Sequence, residues 1–151
     1  MPRLSDRVGT FTDSVIRRMT RINNQYDSIN LSQGFPDFDP PKELTDALAK
    51  AAHDGPHQYA VTFGAQNFRE ALAKKTSPAL HHEVDPNTEI CVTCGGTEAM
   101  MAAMMTICNP GDKVMVFSPF YENYGADAIL SGAEPIYIPL VAPELSLIHI
   151  S

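Results

Sequence analysis

The most constraining stretch of this chain runs from Glu89 to Leu140, where short apolar runs alternate with segments spaced for helices. Glu89 to Cys94 reads as an extended strand that enters Gly95-Gly96, and Thr97 to about Cys108 reads as the helix that leaves it. Asn109-Pro110-Gly111-Asp112 is a turn, and Lys113 to Phe117 is a nearly all-apolar strand. Tyr121 to Leu130 has helical spacing, Ser131-Gly132 closes it, and Glu134 to Leu140 is a further strand. A strand apolar on both faces needs cover on both. A helix between successive strands supplies that cover and leaves the strands parallel. The fold class predicted is therefore α/β with a largely parallel sheet and right-handed crossovers.

Upstream, Phe11 to Ile22 predicts a short helix, after which Gly34, Pro36, Pro40 and Pro41 interrupt regular structure. Pro41 can open a helix, because its missing N–H has no helical partner in the first turn. Leu44, Leu48 and Ala51-Ala52 then recur at helical spacing until Gly55-Pro56. A second helix is expected over Gln66 to Lys75, with Phe68 and Leu72 on one face and Pro78 ending it. The run containing Met100-Met101 and Met104-Met105 reads as a core helix, well short of the roughly 18 apolar residues of a membrane span.

Acidic residues outnumber basic ones 18 to 11, giving a net charge of −7, and the basic residues are scattered. Nucleic acid is excluded as a partner on that pattern, since phosphate-backbone binding needs concentrated positive charge. No membrane partner is expected, and the first twenty residues hold no uninterrupted apolar block of the secretory kind. Cys91 and Cys94 have the spacing of a redox or zinc pair, yet on a strand positions three apart face opposite ways. Buried small thiols are expected rather than a metal site, and three free thiols fit a reducing cytoplasm.

Four loops carry candidate chemistry. Thr93-Cys94-Gly95-Gly96-Thr97-Glu98-Ala99 would turn backbone N–H groups and a positive helix end toward an anion. It lacks the dinucleotide and P-loop patterns, and a plain strand–helix junction capped by Thr97 is the alternative. Glu98 should point away if a phosphate sits there. Ser118-Pro119-Phe120-Tyr121-Glu122-Asn123-Tyr124 follows a strand end, where ligands collect in open α/β sheets, and an aromatic there can cover a flat heterocycle. Both tyrosines equally suit a core or an interface. Leu31-Ser32-Gln33-Gly34-Phe35-Pro36-Asp37-Phe38 could present donors to a carboxylate, with Gly34 leaving room. His57-Gln58-Tyr59 offers a phenol that could reach a phosphate across a subunit interface.

Taken in order, these loops, together with Asp85-Pro86 and Pro110-Gly111-Asp112-Lys113-Val114, resemble the class I/II aminotransferases of fold type I. The likeness covers about residues 3 to 143 and is nearest to the kynurenine, glutamine and methionine group or to aspartate and aromatic aminotransferases. It implies pyridoxal 5'-phosphate as cofactor, an amino acid and a 2-oxo acid as substrates, a homodimer, and a place in amino-acid metabolism. Carried over by residue, Gly96 and Thr97 would contact the cofactor phosphate and Tyr121 would stack on its ring. Tyr59 would reach the phosphate held by the partner subunit, and Gly34 would lie near the substrate carboxylate.

The resemblance also implies what this stretch does not hold. The family's cofactor-binding lysine, the aspartate at the pyridine nitrogen and the substrate-binding arginine have no counterpart before Ser151, so no catalytic residue is assigned. The expectation is an N-terminal portion of such an enzyme, inactive alone. Residues 1–45 would form the N-terminal arm and a small-domain segment, and 46–144 the incomplete large cofactor-binding domain. Residues 145–151 depart from the family pattern and read as a non-native tail. A carbon–sulfur β-lyase of the same fold, and a non-enzymatic α/β ligand-binding or interaction module, are the alternatives.

Overall fold

The computed structural model describes residues 3–11 and 13–140, so the expected tail over 145–151 lies outside the described residues. A 3-10 turn at Asp6–Thr10 precedes helices α1 (Val15–Tyr26), α2 (Lys42–Asp54), α3 (Gln66–Leu80) and α4 (Gly95–Ile107). Strand β1 (Lys113–Ser118), helix α5 (Asn123–Leu130) and strand β2 (Glu134–Pro139) follow. The chain divides into two compact units, one of Met1–Ile29 with Cys94–Ser151 and one of Asn30–Thr93.

In the first unit β1 and β2 pair in parallel, from Lys113 opposite Glu134 to Ser118 opposite Pro139, with α5 as the connection between them. The turn before β1 closes on itself. The Asn109 amide donates to Asp112 Oδ2 at 2.7 Å, and the Asp112 carbonyl accepts from the Glu134 amide at 2.8 Å to start the pairing. Val116, Ala128 and Ala133 are buried, and the small alanines let α5 lie close to the strands. Gly125 is smaller still for a reason: a Cβ there would stand 2.5 Å from the Tyr137 hydroxyl. Tyr137 is held in place by stacking on Phe120, with ring centroids 5.1 Å apart and planes 12° from parallel.

The parallel α/β arrangement expected of residues 113 to 139 is present, but two sequence expectations around it fail. Glu89 to Cys94 forms no strand. A strand exists only by pairing, and among the described residues the strands that pair are β1 and β2, with each other. Without it, Cys91 and Cys94 are exposed and Cys108 is half-buried, rather than all three being buried thiols. Likewise α4 is no core helix: none of its residues is buried and Met105 is 63% exposed, because a two-stranded sheet offers little surface to cover it.

The second unit is organised by Arg69 on α3. This side chain is buried, and its guanidinium donates to the Gly64 carbonyl at 3.0 Å, to the Pro86 carbonyl and to Gln66 Oε1. Three neutral acceptors satisfy a cation that no buried carboxylate meets. Gly64 has φ +106°, and a Cβ there would lie 2.7 Å from Val92 Cβ, while the Val92 amide donates to the Phe63 carbonyl at 3.0 Å.

Helix α3 does not stop at Pro78 as expected but runs to Leu80. Proline removes one amide donor and crowds the carbonyl four residues back, a disruption tolerable within the last turn. Several bonds secure that end. Ser77 Oγ donates to the Ala73 carbonyl at 2.7 Å and accepts from the Val84 amide at 3.0 Å, and His81 closes the helix in the left-handed region.

Beyond it, Asp85 accepts from the Asn87 amide and the Thr88 hydroxyl. Glu89 accepts from the Asp85 amide at 2.7 Å and from His82 at 2.9 Å. The Asn87 amide chiefly holds the Asp85 carboxyl below the ordinary carboxylate value, and the Asp85 amide does the same for Glu89.

Candidate functional site

The first turn of α4 and the loop after β1 meet around a cavity of about 430 Å³. Gly96, Thr97, Met100, Tyr121, Asn123 and Tyr124 line it. Gly95 carries φ +75° and allows the chain to turn into the helix, a conformation glycine adopts without the cost other residues face. At Gly96 no heavy atom lies within 4 Å of where a Cβ would stand, so the backbone there borders open space. The amides of Gly96 and Thr97 belong to the first turn and have no acceptor within the helix, and the helix dipole adds positive potential.

Glu98 does not point away from this helix end. Its carboxylate accepts from the Cys94 amide, so it caps the helix from within while Cys94 itself supplies no side-chain cap. That leaves Thr97 free of the capping role considered for it. Thr97 Oγ1 instead accepts from Asn123 Nδ2 at 3.1 Å, joining the start of α4 to the start of α5.

The expected helix over Tyr121 to Leu130 begins only at Asn123. Tyr121 therefore sits in the turn before it, its carbonyl accepting from the Tyr124 amide at 3.1 Å. Tyr121 is 50% exposed, and its ring makes a T-shaped pair with that of Tyr124, with centroids 6.0 Å apart and planes at 73°. Contact with this one ring leaves Tyr121 a face for a flat ligand. The site thus combines neutral donors for an anion with an aromatic surface, and no ionised side chain is among its lining residues.

Of the residues singled out from sequence, the structure brings Gly96, Thr97 and Tyr121 to one cavity. Tyr59 and Gly34 belong to the other compact unit. Tyr59 is fully exposed, and Gly34 has no heavy atom within 4 Å of a Cβ position. Upstream of Gly34, Asn30 Oδ1 accepts from both the amide and the hydroxyl of Ser32, at 2.9 and 2.7 Å. Sequence patterns give no ligand-facing role to Asn123 or to Met100, which reads as part of a core helix. Asn123 stands within the Pro119–Tyr124 stretch already singled out, but its partner Thr97 is 26 residues away and no local pattern joins them.

The family pattern of aminotransferase class I and II matches residues 26–147. The chain belongs to that family. Over 119 residues it is 41% identical to the methionine aminotransferase of Escherichia coli (strain K12), an alignment covering 79% of this chain and 31% of that protein. Over 143 residues it is 34% identical to a kynurenine–oxoglutarate transaminase of Dictyostelium discoideum, covering 94% and 33% respectively.

Among solved structures, YbdL of Escherichia coli, identified as a methionine aminotransferase, superposes with a TM-score of 0.87 at 35% identity. That match covers 96% of this chain and 38% of YbdL. The α/β arrangement described above is thus that of fold-type I aminotransferases. The chain spans about a third of the length of the curated relatives it matches. Among the described residues, no helix is long and apolar enough to cross a membrane.

Proposed function

We propose that the whole protein to which these residues belong is a pyridoxal 5'-phosphate-dependent aminotransferase, moving the amino group of an L-amino acid to a 2-oxo acid. The observation that carries this reading is the cavity at the start of α4, where Gly96, Thr97 and Tyr121 converge. Its lining residues fit the group, and the Glu98 carboxylate, turned to the Cys94 amide, is not among them. Backbone amides of a helix start and a hydroxyl suit a phosphate, the absent Cβ of Gly96 leaves room, and Tyr121 suits a pyridine ring. When bound, the cofactor supplies an electron sink for negative charge at the substrate Cα.

The residues of this chain divide the remaining work. Gly96 and Thr97 hold the phosphate at the α4 end, and Tyr121 fixes the plane of the ring. In a homodimer, Tyr59 serves the phosphate in the partner's site, and Gly34 borders the substrate carboxylate. Lys42 and Lys50 pair with Asp46 and Asp54 on the surface of α2, a setting unlike that of a cofactor-binding lysine. On this reading, residues 1–45 are the arm and small-domain segment, and residues 46–144 are the first part of the large domain. Three free thiols favour a cytoplasmic location.

Incubation with pyridoxal phosphate, an L-amino acid and a 2-oxo acid tests the reading. The whole protein is expected to exchange the amino group, and the 151-residue polypeptide alone to show no turnover. Pyruvate release from a sulfur amino acid without any 2-oxo acceptor would replace transamination by β-lyase chemistry. Absence of pyridoxal phosphate binding by the whole protein would overturn the reading.

A further inference from the structure

We infer that Asn123 is a positioning residue for the phosphate seat: by donating to Thr97 Oγ1 it commits the Thr97 hydroxyl proton to the bound anion. The inference rests on the cofactor reading above and adds a residue to it. A threonine hydroxyl has one proton and two acceptor lone pairs. Asn123 Nδ2 lies 3.1 Å from Thr97 Oγ1, and an amide nitrogen can only donate, so the hydroxyl oxygen is the acceptor in that bond. Its own proton must point elsewhere.

Other helical threonines show where such a proton usually goes. Thr20, Thr76 and Thr106 donate to the carbonyl four residues back, those of Ile16, Leu72 and Ala102, at 3.0, 2.8 and 2.7 Å, and Thr45 donates to that of Lys42, three back, at 2.9 Å. For Thr97 the residues three and four back are Cys94 and Thr93, and both precede the helix start at Gly95. The hydroxyl therefore has no carbonyl of its own helix to return to. Thr97 and Asn123 both border the cavity that Gly96 and Tyr121 share. A hydroxyl with one lone pair occupied and its proton turned into that space is a prepared donor to a phosphate oxygen. Its preparation lowers the ordering cost at the moment of binding.

Equilibrium dialysis of the whole protein against two probes, pyridoxal phosphate and pyridoxal, tests this. Asn123→Ala is expected to weaken pyridoxal phosphate binding about 3-fold, as befits one neutral hydrogen bond. Asn123→Asp keeps the shape but reverses the bond, drawing the Thr97 proton back and adding a negative charge. It is expected to weaken binding about 10-fold or more.

Neither variant should change pyridoxal affinity beyond about 2-fold, since that probe lacks the phosphate. In a Thr97→Ala background, Asn123→Ala should produce no further loss. Equal losses for both probes, an Asn123→Asp protein binding pyridoxal phosphate as well as the unsubstituted one, or additive losses with Thr97→Ala would each overturn the inference. An unsubstituted protein that binds no pyridoxal phosphate would instead overturn the cofactor reading itself.

Discussion

Two glycine turns lead into helices in this molecule, and they are finished in opposite ways. Gly64, ahead of α3, has φ +106°; the Val92 side chain fills the space beside it and Arg69 takes its carbonyl at 3.0 Å. Gly95 and Gly96, at the start of α4, border open space, and the polar groups nearby are arranged around a cavity. At the first turn, glycine is needed because the protein's own atoms occupy the place of a side chain. At the second, that place is left for something else. A glycine-rich turn before a helix is therefore not by itself a binding signal. What stands opposite the missing Cβ decides.

Substitution should separate the two turns cleanly. The largest effect is expected for Gly64→Ala, which combines a disfavoured φ with a clash against the Val92 Cβ 2.7 Å away. A loss of about 3 kcal/mol or more in denaturant unfolding is expected. A loss below about 1 kcal/mol would mean that the Gly64 turn relaxes easily and that the contrast is wrong. Next comes Arg69→Met, which leaves the Gly64 and Pro86 carbonyls without their donor. It should cost about 2 kcal/mol and raise the Asp85 carboxyl toward its ordinary value, readable by NMR titration, because Arg69 contributes to lowering it.

Gly96→Ala should do the reverse. Stability should change by less than about 1 kcal/mol, since alanine favours the helix. Pyridoxal phosphate affinity should nonetheless fall as the new methyl enters the cavity. Unchanged affinity would remove the distinction between the turns.

The smallest effects concern pH. Asp85 and Glu89 are held below the ordinary carboxylate value, so their contribution is complete above that value and is lost as pH falls through the lowered ones. Glu89→Gln should flatten the acid limb of a melting-temperature profile. Asp127 runs the other way. It is buried, its Oδ2 has no partner, and burial raises its carboxyl. Stability should decline as pH rises from the ordinary carboxylate value through the raised one, and Asp127→Asn should abolish that decline.

These contrasts show which parts of the molecule were legible in sequence. The β1–α5–β2 unit was, because strand length, turn residues and helical spacing are local properties, and the Asn109–Asp112 turn is closed by its own side chains. The Glu89 to Cys94 segment was not, because an apolar extended run becomes a strand only when a partner lies beside it. The end of α3 was not legible from Pro78, because a proline ends a helix less sharply when Ser77 and His81 already secure its last turn. At the site, Gly96, Thr97 and Tyr121 were visible through the order of their motifs. Asn123 was not, since its role depends on two helix starts meeting. The inward turn of Glu98 was missed because its partner, the Cys94 amide, is a backbone group that every sequence contains.

The Gly125 notch also bears on how this protein can change. The Tyr137 oxygen occupies the space an alanine methyl would need, while the ring behind it is fixed on Phe120. Position 125 can therefore grow only if position 137 gives up its hydroxyl, as in Gly125→Ala with Tyr137→Phe. Two residues on different elements are thus tied in one order of change: the hydroxyl at 137 has to go before a side chain can appear at 125.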